Sequence, residues 1–296
     1  MNEMVDYALF LGCNIPNRLP QLELAARKVL PTFDVNLVDI EEFGCCPEPI
    51  GIQELSRDTW MAMASINLAL AEEKGLDILA LCNGCYETLK TVNTELNHNG
   101  HHKEKVNAIL SQIGKEVKGS QNVKHLLEVL HKDIGVEKIK SSIQKELKGI
   151  KVAVHYGCHA IRPSAILKTD DPFQPKSLDE LVTAVGAESI PYLRKMLCCG
   201  TGIEGVDKDN QLWMINDKLA QVQHMNADCM TMLCPLCYIQ YEMGQLQLKK
   251  EPYHGNYAIP IMYYPELLGL ALGIDPKEFG FSLHRVKVEP LLEKIL

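Results

Sequence analysis

Short, largely apolar runs punctuate this chain, and most of them stop at or just before a cysteine. YALFLG (7–12), VNLVDI (35–40), DILAL (77–81), VAVHYG (152–157) and CMTML (229–233) have the length and composition of buried strands. Between them, apolar residues recur at helical spacing, as at Trp60, Met63 and Leu70 and again at Leu212, Ile215 and Val222. Strands alternating with helices predict an α/β fold, a mainly parallel sheet with helices packed against it.

The pattern occurs twice. At an offset of 145 residues YALFLGC (7–13) lies over VAVHYGC (152–158), and at 152 DILALC (77–82) lies over CMTMLC (229–234). The helical trio of Trp60, Met63 and Leu70 falls over Leu212, Ile215 and Val222 at the same 152. Self-similarity among residues that bind nothing is what a duplicated fold requires. Each half reads strand, helix, strand, loop, helix, strand, helix. Residues 98–149 stand outside the repeat as a charged helical insertion, and 244–296 as a C-terminal extension. The expected domains are therefore 1–149 and 150–296.

The cysteines follow the same duplication. With Cys229 set aside, each half offers a lone cysteine, an adjacent pair and a C-x-x-C: Cys13, Cys45, Cys46, Cys82 and Cys85, then Cys158, Cys198, Cys199, Cys234 and Cys237. The intervening gaps are 31 and 35 residues in the first half and 39 and 34 in the second. Each group follows the carboxyl end of a candidate strand, the edge where open α/β sheets bind ligands. Five thiols per half are thus predicted to converge.

Composition narrows the chemistry. With 30 basic and 38 acidic residues the formal charge is -8, which argues against a general nucleic-acid or acidic-membrane surface. The start MNEMVDYALFLGC lacks a signal-peptide pattern, and IMYYPELLGLALGI is too short and too interrupted to span a bilayer. A cytoplasmic location is expected, where eleven cysteines stay reduced.

Three chemistries compete for the thiols. Structural zinc takes four ligands and leaves one of each five over. A dithiol redox pair at a helix N-terminus uses only the C-x-x-C. Iron–sulfur ligation employs all five, and a set of five rather than four suggests a cluster whose irons are not equivalent. Gly200 and Gly202, with Gly44 and Gly84 in the first half, permit close approach of backbone amides to charged sulfurs.

The doubled pattern, with Cys198-Cys199-Gly200 in the second half, resembles the cysteine-rich CCG domain, and two such domains in one chain resemble the family of B subunits of heterodisulfide reductase from methanogenic archaea. The likeness covers about residues 5 to 240; in the first half Pro47 stands where glycine would follow the pair. It implies two similar CCG domains, each a mainly parallel sheet with flanking helices, related by pseudo-twofold symmetry. It also implies two noncubane [4Fe-4S] clusters, one on each quintet, with the mixed disulfide of coenzyme M and coenzyme B held between them and reduced to two thiols. Implied partners are a ferredoxin-like iron–sulfur subunit and a flavin-containing subunit. CCG domains also occur in quinone-linked dehydrogenase subunits; no ferredoxin-type C-x-x-C-x-x-C-x-x-x-C-P run is present here, which favours a stand-alone subunit.

Other residues carry weaker signals. His155 and His159 flank Cys158 and could donate to a substrate sulfur, yet Phe10 and Asn14 stand in their places in the first half. Arg162, Lys168, Arg194 and Lys195 could neutralise anionic coenzyme groups or simply face solvent. Cys229 reads as a small buried hydrophobe, and His98, His101 and His102 as a solvated turn. No Gly-rich nucleotide fingerprint appears, so neither flavin nor nicotinamide is expected.

Overall fold

The computed structural model describes residues 4–250, 253 and 255–296. Eight strands form two separate four-stranded sheets. The first holds β1 (Val5–Phe10), β2 (Val35–Val38), β3 (Asp77–Ala80) and β4 (Val123–His125) in the order β2-β1-β3-β4. The second holds β5 (Lys151–His155), β6 (Glu188–Ser189), β7 (Cys229–Met232) and β8 (Ile261–Tyr263) in the order β6-β5-β7-β8. Every pairing is parallel. The central strands are buried on both faces, which explains their unbroken apolar sequences.

The duplication runs further than the sequence pattern suggests. The stretch 98–149, expected to be a helical insertion, is mostly helical but also supplies β4; the extension 244–296 likewise supplies β8. Both strands are three residues long, too short for any periodicity to register. Each leads into a helix whose third residue reaches back to accept from the backbone N–H before it: Glu128 from His125 N in the first half, Glu266 from Tyr263 N in the second.

Beyond its fourth strand, each half packs on the other. The helix Val136–Ser142 lies against Ser177–Ala184 of the second half, and Tyr264–Ala271 lies against Pro20–Val29 of the first. Packing between the halves therefore crosses the expected 149/150 boundary in both directions. Buried hydrogen bonds tie the same seam: Tyr263 Oη donates to the Leu81 carbonyl (2.8 Å) and Asn83 Nδ2 to the Tyr156 carbonyl (2.8 Å).

The paired helices Arg57–Lys74 and Lys208–His224 reveal a shift in the repeat. Their C-terminal turns close on left-handed residues, Gly75 and Asn226, with matching bonds from Leu76 N to Ala71 O and from Ala227 N to Val222 O. The helices thus correspond at 151, not 152. At 151 the buried positions Gln211, Ile215, Lys218, Leu219 and Val222 fall on Trp60, Ala64, Asn67, Leu68 and Ala71, all buried. An extra residue between helix and strand in the second half restores 152 at the cysteines.

Candidate metal centre

Each cysteine group sits where the topology predicts, just beyond the carboxyl end of a strand. Cys13 and Cys158 follow β1 and β5, the adjacent pairs lie in the loops after β2 and β6, and Cys82 and Cys234 cap the helices Asn83–His98 and Pro235–Leu248. Those helix N-termini aim unpaired N–H groups and the positive end of the dipole at the sulfurs.

The thiols of each half lie close enough to act on one another's ionisation. In the first half Cys13 acts on Cys45, Cys45 on Cys46, Cys46 on Cys85 and Cys85 on Cys82. In the second, Cys237 donates to Cys199 at 3.4 Å, and Cys234 with Cys237, Cys199 with Cys198, and Cys198 with Cys158 act on each other in the same way. The two quintets approach at the seam, where Cys82 and Cys234 influence each other. Adjacent thiols cannot all ionise, so the lowered sulfurs are set apart by raised ones. The Cys45 thiol helps pull Cys46 down to about 4, the Cys158 thiol pulls Cys198 down to about 2, and Cys237 and Cys82 hold Cys234 well below its usual value. Acting as donors toward neighbouring sulfurs, together with burial, pushes Cys45, Cys82, Cys85, Cys158, Cys199 and Cys237 up.

Backbone shape protects both sites. Gly12 and Gly157 occupy matching left-handed positions (φ +66° and +74°). A Cβ on Gly12 would lie 2.7 Å from Cys85 Sγ, and one on Gly157 would lie 2.3 Å from Asn83 Nδ2 and 3.3 Å from Cys237 Sγ. The quintets differ in cover: Cys13 and Cys45 are exposed, whereas Cys158 and Cys198 are half-buried.

The remaining candidates separate. His155 is wholly buried behind the second quintet, its Nδ1 2.8 Å from Lys218 Nζ and a ring nitrogen within 4.8 Å of the Cys199 and Cys237 sulfurs. His159 is part-exposed at the seam, with Nδ1 3.9 Å from Glu87 Oε2 of the other half. Burial raises the Glu87 carboxyl. Lys195 is bonded to Asp179 and Arg194 to Asp217, so both charges are neutralised within the chain. Arg162 reaches the Pro172 carbonyl near Cys158, and Lys168 is exposed. Cys229 is buried in β7, and His98, His101 and His102 assemble no site.

Two buried residues escaped the sequence pattern. Glu87 lies two positions after Cys85 and Lys218 on the buried face of its helix; an acid and a base on apolar faces were the available signals. Lys218 is the more unusual. Burial pushes its ammonium down to about 7, opposed by the pull of Cys237, Cys199, Cys158 and Cys198. Among the described residues no carboxylate pairs with it.

Two sets of five soft sulfur donors, glycine cradles and a buried cation without a carboxylate fit an anionic iron–sulfur core. Comparison with known proteins agrees with that chemistry. Residues 7–90 and 152–242 match the family model described as CCG, cysteine-rich domain, and the chain belongs to that family. It is 40% identical over 294 residues, covering 99% of this chain and 97% of the relative, to the B subunit of the ferredoxin/F(420)H(2)-dependent CoB-CoM heterodisulfide reductase of Methanosarcina acetivorans. It is also 38% identical to a protein of Archaeoglobus profundus described as like the B subunit of heterodisulfide reductase, with 93% of each chain covered. At 30% identity, with 94% of this chain and 95% of the relative covered, it is similar to the membrane anchor subunit of the 8-methylmenaquinol:fumarate reductase of Wolinella succinogenes. Among the described residues, however, no helix is long and apolar enough to cross a membrane. A crystal structure of a hypothetical protein from Helicobacter pylori shares the fold, with a TM-score of 0.78 at 16% identity over 97% of this chain and 53% of that one.

Proposed function

We propose that the chain is the iron–sulfur catalytic subunit of a cytoplasmic heterodisulfide reductase, cleaving the mixed disulfide of coenzyme M and coenzyme B into two thiols. The observation that carries this reading is the doubled quintet: five thiols from each half gathered beyond the carboxyl ends of its strands, the two sets close enough at the seam for Cys82 and Cys234 to influence each other. In this reading Cys13, Cys45, Cys46, Cys82 and Cys85 hold one noncubane [4Fe-4S] cluster, and Cys158, Cys198, Cys199, Cys234 and Cys237 hold the other. When bound, each cluster supplies one of the two electrons that the disulfide takes up. The remaining tasks fall to side chains. His159, steadied by Glu87 across the seam, is the group placed to hand a proton to a departing sulfur. Arg162, near Cys158, offers a charge to an anionic coenzyme. Electrons reach the clusters from a ferredoxin-like iron–sulfur subunit supplied in turn by a flavin-containing one.

Anaerobically purified protein should contain about eight irons and a comparable amount of sulfide per chain; zinc without sulfide would overturn the reading. The Wolinella relative favours a second reading, electron transfer to or from a quinone. Pre-reduced protein separates the two: oxidation by the coenzyme disulfide and not by a menaquinone analogue supports the first, and the reverse supports the second.

A further inference from the structure

The two halves present the same scaffold to their quintets, but with different charge. At matched positions of the paired helices stand Asn67 and Lys218, and each grips the loop of its own cysteine pair. Asn67 accepts from Gly44 N (2.9 Å) and donates to the Cys45 carbonyl (3.1 Å). Lys218 donates to the carbonyls of Lys195 (3.0 Å) and Leu197 (2.6 Å) and to His155 Nδ1 (2.8 Å). The strand register places His155 where the first half has Phe10. A neutral pair on one side is therefore replaced by a cation and an imidazole on the other.

The hydrogen bonds fix the imidazole. An ammonium has three donors and no acceptor, and here all three are spent, so Nδ1 of His155 must accept and the ring proton sits on Nε2. That Nε2 is buried and finds no partner among the described residues. A ring nitrogen of the same residue lies within 4.8 Å of the Cys199 and Cys237 sulfurs, and an unpartnered buried N–H beside sulfur donors marks a position made for an anionic acceptor. The acids of the neighbourhood are taken, Asp179 by Lys195 and Asp217 by Arg194. Among the described residues no carboxylate answers the Lys218 charge; the Tyr192 and Tyr241 rings lie 6.0 and 5.7 Å from its Nζ, and the negative partner left to it is the second quintet with its bound centre.

Reduction adds negative charge to an iron–sulfur centre, so a nearby buried cation and an N–H donated to its sulfurs raise its potential. We propose that Lys218, directly and through the His155 Nε2–H that it orients, makes the second centre the easier of the two to reduce. The inference rests on the iron–sulfur reading above. Electrons supplied by a one-electron iron–sulfur donor collect in the second half: transfer oxidises the first centre by one electron and reduces the second by one, with no proton moved. Lys218 is a positioning residue in this role, since it reaches the centre through charge and through His155.

Redox titration of the full chain under anaerobic conditions, followed by electron paramagnetic resonance, tests this. The unaltered protein should show two potentials. Lys218→Gln, which keeps donors for the loop carbonyls but removes the charge, should lower the higher of them by at least tenfold in the reduced-to-oxidised ratio, about 59 mV for a one-electron couple. The other should stay within twofold. His155→Phe, which installs the residue of the first half, should move the same centre in the same direction. Potentials unmoved in both variants, or both potentials moving together, overturn the inference alone, and so does loss of iron from both variants. If Lys218→Gln alone loses its iron, His155→Phe decides by the same criterion. An unaltered protein without clusters overturns this inference together with the function on which it rests.

Discussion

Gly157→Ala is expected to empty the second half of its metal while the first stays loaded, and Gly12→Ala to do the reverse. Both glycines are left-handed, a conformation that costs an alanine about 1–2 kcal/mol. At Gly157 the added Cβ also drives into Asn83 Nδ2, which bonds the Tyr156 carbonyl across the seam. Losing that buried bond adds about 1–3 kcal/mol, so the substitution costs roughly 2–5 kcal/mol in all, its upper end on the scale of the most damaging single changes. At Gly12 the new methyl meets Cys85 Sγ itself, so a ligand must move. Each variant should therefore retain about four irons where the parent holds about eight. Gly44→Ala is the control, since nothing lies within 4 Å of its would-be Cβ and its backbone is ordinary. Combining Gly157→Ala with Asn83→Ala removes the clash, and the two costs should add to less than their sum. Equal iron in all of these proteins would show that the glycines do not shape the sites.

The parts of this molecule legible from sequence were those with a period or a repeat. Buried strands announced themselves as apolar runs, and because every cysteine group follows one, the thiols' convergence at the carboxyl edge came from topology alone. The three-residue strands β4 and β8 were invisible, because VKH and IMY are too brief to show alternation. The one-residue drift between helix and strand had a larger consequence. At the 152 offset that suits the cysteines, Lys218 faces Ile66 and looks like an ordinary surface lysine. At 151, set by the turns at Gly75 and Asn226, it faces buried Asn67 and becomes an anomaly. Nor does any linear pattern reveal that Cys82 comes close enough to Cys234 to shift its ionisation, since that depends on how the two halves dock.

The C-terminal residues, which look dispensable in sequence, brace the second quintet, and His284→Ala should show it. The His284 side chain is buried, with Nε2 2.8 Å from Glu266 Oε1 and Nδ1 2.9 Å from the hydroxyl of Tyr238, the residue after Cys237. Glu266 also caps its helix by accepting from Tyr263 N (2.7 Å), and Glu242 accepts from Arg285 N (2.7 Å). Burial alone would push the His284 pKa down, but the Glu266 carboxylate, with Glu242, holds it above the ordinary value. The ring thus lies between two buried acids that favour its charged form. Removing it strands those acids, at a cost of about 3–5 kcal/mol by analogy with broken buried pairs. The pH dependence has a definite sign. Because the folded pKa is raised, the stabilisation is fully present below the unfolded value near 6.5 and is lost as pH climbs through the folded value. Urea unfolding should therefore separate the parent from His284→Ala widely at pH 6 and much less at pH 9; a gap independent of pH would mean the ring acts by packing alone. Since Tyr238 follows a ligand directly, the variant should also yield iron to a chelator faster, and from the second half first.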